Sequence, residues 1–168
     1  MIAAVAAATA LLAVAASTAP APVTPTGFDL GRIELTDPAG AVRTLPVWVA
    51  DTDAELQRGL MGVTELGSAV GMLFVFDDTA DWRFYMWQTL IPLSIAWFAE
   101  DGTFVGAAEM IPCTSDDESG CDRYSPSTPY RFAVELPSGG AAQLALTAED
   151  RMTVLGPSWW QETALAAG

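Results

Sequence analysis

The most constraining feature of this chain is the stretch Gly71–Phe98, which holds three apolar runs and three of the six tryptophans. The runs are GMLFVF, WRFYM and PLSIAWF, and each has the length and the aromatic or β-branched content of a strand. Side chains this hydrophobic belong in a core rather than at a surface. We therefore predict that this stretch supplies the central strands of the protein, with polar breaks at 77–81 and 88–92.

Strand patterns also flank this stretch on both sides. We predict further strands at Phe28–Leu35, Val42–Ala50, Thr103–Ile111, Tyr130–Leu136 and Met152–Leu155. Turn signals at 37–40 and 100–102 have hairpin spacing. The alternation in Tyr130–Leu136 predicts one apolar and one polar face. The sequence therefore predicts a mainly β (α+β) fold, an antiparallel curled sheet or barrel-like sandwich with one or two short helices.

The helical signals are short. Thr52 and Glu55 have the spacing of a capping box, and Leu56 and Leu60 lie four residues apart on one face of the helix that would follow. We expect Gly62 to end this helix. A second helical turn is predicted within 141–147.

The first 26 residues carry no charged side chain and run from an apolar segment into a Pro/Thr-rich spacer. This resembles a secretory signal, with cleavage expected after Ala16, and the apolar run is shorter than a membrane-spanning helix. We predict an exported protein, periplasmic or extracellular, with a single domain at 27–156 and a C-terminal tail at 157–168 carrying Trp159 and Trp160. In the alternative, an uncleaved N-terminus anchors a structural envelope protein to the membrane.

The charge balance excludes some partners. The chain has seven arginines, no lysine and 21 acidic residues, for a net charge of −14. Like charges repel nucleic acid and anionic lipid, so neither is expected as a partner, and a membrane contact would come only from a retained N-terminus. Adaptation to high salt is a second explanation of the acid excess.

The two cysteines, Cys113 and Cys121, lie in a polar loop. In an exported protein, a pair this close predicts a disulfide. The acids between them miss the spacing of the helix-loop-helix calcium motif. Because the chain also lacks histidine, we predict no metal site and no cofactor.

Four sequence blocks, in order, are similar to a known family. They are Arg58-Gly59-Leu60-Met61, Gly71-Met72-Leu73-Phe74, Phe84-Tyr85-Met86-Trp87-Gln88-Thr89 running into Ile91-Pro92-Leu93, and Val134-Glu135-Leu136. The chain thereby resembles the uncharacterised family called domain of unknown function 192. The resemblance implies a compact, mainly β, often exported domain without an established activity. Trp87 and Gln88 stand where the family usually has Lys-Asn, and Ser94 stands where Asp is usual.

The residues that remain for chemistry favour binding over catalysis. Absence of histidine removes the common nucleophile systems, and no phosphate loop or nucleophile elbow is present. Turns on β scaffolds commonly carry binding groups. We therefore expect a small molecule, a glycan or a partner protein to bind in a polar hollow near 87–89. Its predicted lining is Arg58, Met61, Met86, Trp87, Gln88, Thr89 and Glu135.

Glu135 is the one weak candidate for a catalytic group. A hydrolase like a glycosidase would pair it with an acid of the 77–81 break. The simpler expectation is a structural ion pair between Glu135 and Arg58. If WRFYMW alternates as a strand, Trp82 belongs to the core, and Trp87 is the exposed ring available for stacking on a ligand.

Overall fold

The computed structural model describes residues 21–156. Within this range the chain forms seven β-strands, two short α-helices and one 3₁₀ turn. In order they are β1 (Asp29–Thr36), β2 (Val42–Ala50), α1 (Asp53–Arg58), β3 (Gly71–Ala80), β4 (Leu93–Phe98), β5 (Phe104–Met110), the 3₁₀ turn Glu118–Gly120, β6 (Tyr130–Pro137), α2 (Gly140–Leu144) and β7 (Arg151–Val154).

All seven strands belong to one curled sheet in the order β5-β4-β6-β3-β2-β1-β7. Neighbours are antiparallel except β2 and β3, which are parallel. A parallel pair needs a crossover connection, and α1 with the loop after it provides one. The sheet remains unclosed, although a bridge between Thr103 and Arg151 brings its two edges together at one end. The predicted fold class, a mainly β curled sheet with short helices, is confirmed.

Both predicted hairpins are present. In the β1–β2 turn the Asp37 carboxylate accepts hydrogen bonds from the amides of Ala39 and Ala41, at 2.9 and 2.8 Å. In the β4–β5 turn the amide of Gly102 donates to the carbonyl of Ala99. Helix α1 has the predicted capping box at Thr52, but it ends at Arg58 with Gly59 as its C-cap, three residues before the predicted end.

The run WRFYM does not form the predicted strand. Residues 81–92 form a loop with only isolated bridges, at Phe84 and Trp87. The hydrophobic side chains still reach the core, because the Phe84 ring packs edge-on against Phe74, with the ring centroids 5.1 Å apart. The prediction for the tryptophans is therefore wrong: Trp82 is 71% exposed, whereas Trp87 is half-buried.

Alternate residues of the central strands contribute to two buried clusters, one on each face of the sheet. Ala133 of β6 belongs to the first cluster and Val134 to the second. The first face is covered by residues that follow α1, such as Leu60, and by Met86 of the 81–92 loop. The second face is covered by α2, through Ala141, and Met152 of the edge strand β7 belongs to the same cluster. Every residue of β4 is buried, as predicted for a strand covered on both faces.

The ends of the chain lie outside the described residues. The predicted signal segment and its cleavage after Ala16 fall there, as do Trp159 and Trp160 of the predicted tail. Within residues 21–156, no helix has the length and apolar character needed to cross a membrane.

Candidate functional site

A cleft of about 850 Å³ opens on the first face of the sheet. Its walls come from α1 with the turn that follows it, from the second half of β3 and from the 81–92 loop. Two further residues come from the loop 111–129 between β5 and β6, called the disulfide loop because it carries both cysteines. Glu135 of β6 also lines this cleft. The volume lies in the range typical of small-molecule sites.

Local sequence explains how α1 forms one wall. The capping box fixes the start of the helix: the amide of Thr52 donates to the carboxylate of Glu55 at 3.2 Å, and the backbone amide of Glu55 donates to the Thr52 hydroxyl at 3.4 Å. Gly59 then turns the chain with φ +46°, and a Cβ at this position would lie 3.1 Å from the Phe74 ring. Only glycine combines this dihedral with such close approach to the ring.

The Glu135 side chain is nearly sealed from solvent. It lies between Met72 of β3 and Ile95 of β4 in the register of the sheet, and it is only 5% exposed. Within the described part of the chain, no hydrogen bond or ion pair is formed by its carboxyl group. Burial alone raises the pKa of Glu135 to about 8, so the group is mostly protonated at pH 7.

Two predictions about Glu135 are wrong. The strand does not have one polar face, because Ala133, Val134, Glu135 and Leu136 are all buried. The ion pair with Arg58 is not formed. The Arg58 guanidinium instead lies 4.1 Å from the centroid of the Phe28 ring and donates to the carbonyl of Gly27 at 3.4 Å.

The structure brings together only part of the predicted site. Arg58, Met61, Thr89 and Glu135 all line the cleft. Met86 is 1% exposed and lines a separate depression of about 300 Å³ beside the disulfide.

Trp87 and Gln88 do not line either depression. Gln88 has φ +56°, and its carbonyl accepts a hydrogen bond from the amide of Gly62 at 2.9 Å. Its backbone therefore links the 81–92 loop to the turn after α1. Of residues 87–89 only Thr89 therefore lines the cleft, and a ligand-binding role for any of the predicted residues stays a prediction.

Several lining residues were not among the predicted ones. Asp77 and Asp78 come from the polar break at 77–81, and Trp82 comes from the WRFYM run, for which the sequence predicted a place in the core. Glu118 and Arg123 come from the disulfide loop, and no sequence signal indicates that this loop reaches the cleft.

Aromatic contact attaches the disulfide loop to the cleft. The Arg123 guanidinium lies 4.2 Å from the centroid of the Tyr85 ring and donates to the carbonyl of Glu118 at 2.9 Å. Burial, followed by a hydrogen bond to Glu118, raises the pKa of Tyr85, so its hydroxyl stays protonated at neutral pH.

The predicted disulfide between Cys113 and Cys121 is confirmed. Inside its loop, the Asp117 carboxylate accepts hydrogen bonds from the amide and the hydroxyl of Ser119, at 2.8 and 2.5 Å. This acid therefore stabilises the 3₁₀ turn. Among residues 21–156, no group of three or more His, Cys, Asp or Glu side chains is arranged to hold a metal ion.

Over residues 21–156, fold and site together define a class of protein: a curled sheet with an aromatic and acidic cleft lined by a buried glutamate. The profile of the DUF192 family, described as an uncharacterized ACR, matches residues 35–154, which are 120 of the 168 residues. The chain belongs to this family.

Two solved structures share the fold. A protein of unknown function from Novosphingobium aromaticivorans is 28% identical, with a TM-score of 0.64 over 80% of this chain and 94% of its own. A protein from Sinorhizobium meliloti, provisionally described as a transcription regulator, is 24% identical, with a TM-score of 0.64 over 77% of this chain and 97% of its own. No curated protein matches the chain.

Proposed function

We propose that this protein is a non-catalytic binding domain and that a small molecule occupies the cleft. The observation that carries the proposal is the position of Glu135. The residue lines an open cleft although it is only 5% exposed, and its carboxyl group has no polar partner within the described residues. A buried carboxyl group without a partner costs stability. A ligand that supplies the missing hydrogen bonds would offset this cost.

The surroundings of Glu135 support recognition rather than hydrolysis. A glycosidase-like pair needs a second carboxyl group about 5 to 10 Å from the first. Such a neighbour would contribute to the raised pKa of Glu135, yet the cause is burial alone. The raised pKa of Glu135 therefore gives no support to a paired acid, while the exposed ring of Trp82 offers a ligand a stacking surface at the cleft.

Export is part of the proposal. The predicted signal segment supports it, and a disulfide is compatible with an oxidising compartment. Mass spectrometry of the protein purified from its source cells tests this point. A mature N-terminus close after Ala16 supports export with cleavage, whereas an intact N-terminus in the membrane fraction supports the anchored envelope protein instead.

A role in transcription is not proposed. The regulator description belongs to the protein from Sinorhizobium meliloti, whose 24% identity shows the fold alone. The net charge of −14 also opposes contact with DNA.

The test of binding uses a variant that fills the cleft. Met61 lines the cleft and is half-buried, so Met61→Trp would occupy part of its volume. Val42 on β2 is 53% exposed and lies outside the cleft, so Val42→Trp is the matched control. Thermal-shift screening with amines, organic acids, sugars and short peptides should find compounds that raise the Tm of the wild type and of Val42→Trp.

The same compounds should not raise the Tm of Met61→Trp, provided that this variant shows a cooperative unfolding transition. If no compound raises the wild-type Tm, or if Met61→Trp responds as the control does, the cleft is not a binding site.

A further inference from the structure

The charges that line the cleft are unequal. Six acidic and three basic side chains of the described residues line it, so the cleft is negative even when Glu135 is protonated. The acidic side chains are those of Asp51, Asp53, Asp77, Asp78, Glu118 and Glu135. The chain as a whole is also strongly acidic, and this raises the local concentration of cations at such an opening.

Two of the three arginines are already engaged on aromatic rings. Arg58 lies over Phe28, and Arg123 lies over Tyr85 at the cleft itself. The attraction of Arg123 to Tyr85 shows that an aromatic face at this site accommodates a planar cation. Five aromatic side chains line the cleft: Phe74, Phe76, Trp82, Phe84 and Tyr85.

The environment of Glu135 is a second, independent observation, and it points to a positively charged ligand. The residue is 5% exposed and lines the cleft, and its carboxyl group has no partner within the described part of the chain. An N–H donor that carries positive charge is the strongest partner for a desolvated carboxylate. An anionic ligand would instead meet a surface with twice as many acids as arginines.

From the lining charges, the aromatic walls and the unpartnered Glu135, we infer that the ligand of this cleft is a small organic cation with N–H donors, either a primary ammonium or a guanidinium compound. Its cationic end contacts Glu135, and its carbon chain lies along the aromatic side chains. This inference rests on the proposed binding function and specifies the ligand class.

Proton release accompanies such binding. Glu135 has a pKa of about 8 in the free protein, so at pH 7 it must lose a proton to pair with a cation. The affinity should therefore rise with pH. Charged and titratable groups also face the cleft from the other elements. They are Asp51 before α1, Asp53 and Arg58 on α1, Asp77 and Asp78 on β3, Arg83 and Tyr85 in the 81–92 loop, and Glu118 and Arg123 in the disulfide loop. Burial raises the pKa of Glu135 to about 8, so its titration falls within an accessible pH range.

A panel of compounds with the same four-carbon chain separates charge from shape. Isothermal titration calorimetry compares 1,4-diaminobutane with 1,4-butanediol and butanedioate, and agmatine represents the guanidinium group. We expect binding of the two cationic compounds only. The end-blocked tripeptide Gly-Lys-Gly distinguishes a free amine from a lysine side chain, and it should bind more weakly than 1,4-diaminobutane.

The pH dependence supplies a second readout in the unmodified protein. The Kd of the diamine should fall roughly fiftyfold between pH 6 and pH 8, because the ionised fraction of a group with a pKa of about 8 rises by this factor. Titrations in two buffers with different ionisation enthalpies should show release of close to one proton at pH 7.

Glu135→Gln should abolish diamine binding and proton release, while Glu100→Gln, which changes an exposed carboxylate outside the cleft, should leave both unchanged. If Glu135→Gln fails to fold, the wild-type pH series and proton count decide the question.

The outcomes distinguish this inference from the proposal on which it rests. If butanedioate or butanediol competes with a compound found in the thermal-shift screen while the amines do not, the cleft binds another class of ligand. The cation inference is then overturned. Affinity that falls with rising pH overturns it equally. If no compound of any charge binds, both the inference and the proposed function fail.

Discussion

Replacing the buried glutamate tests the physical picture of the cleft without any ligand. The pKa of Glu135 is raised from the ordinary 4.5 to about 8 on folding, so between these pH values the folded protein holds a proton that the unfolded chain does not. Stability is therefore lost as the pH rises through this window, at about 1.4 kcal/mol per pH unit. From pH 5 to pH 8 this group should lower the free energy of unfolding by about 3–4 kcal/mol, because the slope falls off near each pKa.

Glu135→Gln removes the titration and keeps the shape. Its buried amide still lacks partners, at a cost of about 1–3 kcal/mol that does not change with pH. The difference in unfolding free energy between variant and wild type should therefore shift in favour of the variant by about 3–4 kcal/mol between pH 5 and pH 8. Urea unfolding followed by tryptophan fluorescence at several pH values measures this difference.

The comparison contains its own control. All other carboxylates contribute equally to both proteins, so their titration cancels in the difference. Glu100→Gln should keep the pH dependence of the wild type, because this carboxylate is exposed. If Glu135→Gln and the wild type follow parallel curves over this range, Glu135 is either hydrated or paired with a positive charge, and the argument for a desolvated carboxyl group is refuted.

Three further predictions concern the walls of the cleft. Replacing both cysteines of the disulfide by serine should lower the free energy of unfolding by roughly 2.5 kcal/mol, measured with urea. The same change should weaken the binding of any ligand in the cleft, because the disulfide loop supplies Glu118 and Arg123. Tyr130→Phe removes the 2.9 Å hydrogen bond from the hydroxyl to the carbonyl of Trp82. We expect the free energy of unfolding to fall by about 1 kcal/mol and acrylamide to quench tryptophan fluorescence more strongly. Unchanged quenching would contradict this expectation. Gly71→Ala should lower the free energy of unfolding by about 1 kcal/mol or more in the same urea assay, since the new Cβ would overlap the backbone carbonyl of Glu135 in β6.

Local features of the fold could be predicted because short-range physics fixes them. The capping box of α1 needs only Thr52 and Glu55 three residues apart. The hairpins need only turn residues between apolar alternations, and the disulfide needs only two nearby cysteines in one loop. Each of these predictions depends on contacts between residues that are close in the sequence, and each is confirmed.

The WRFYM run shows where such reasoning fails. Its composition is that of a strand, yet β2 and β6 already pair with both sides of β3, so the run that follows β3 has no place beside that strand. The Phe84 ring therefore packs on the first face of the sheet from a loop, and Trp82 is left exposed at the edge of the cleft. Period-two alternation could not predict this, because side chains of a loop are not confined to two opposite faces.

What the sequence determined by itself is the kind of protein: a mainly β domain of the DUF192 family, strongly acidic, with a disulfide in a polar loop. What only the tertiary structure decided is the site. The pairing of β6 between β3 and β4 buries Glu135, and the disulfide loop folds across to place Arg123 on the Tyr85 ring. The physical reason is that desolvation of a side chain depends on every element packed around it, and those elements are far apart in the chain.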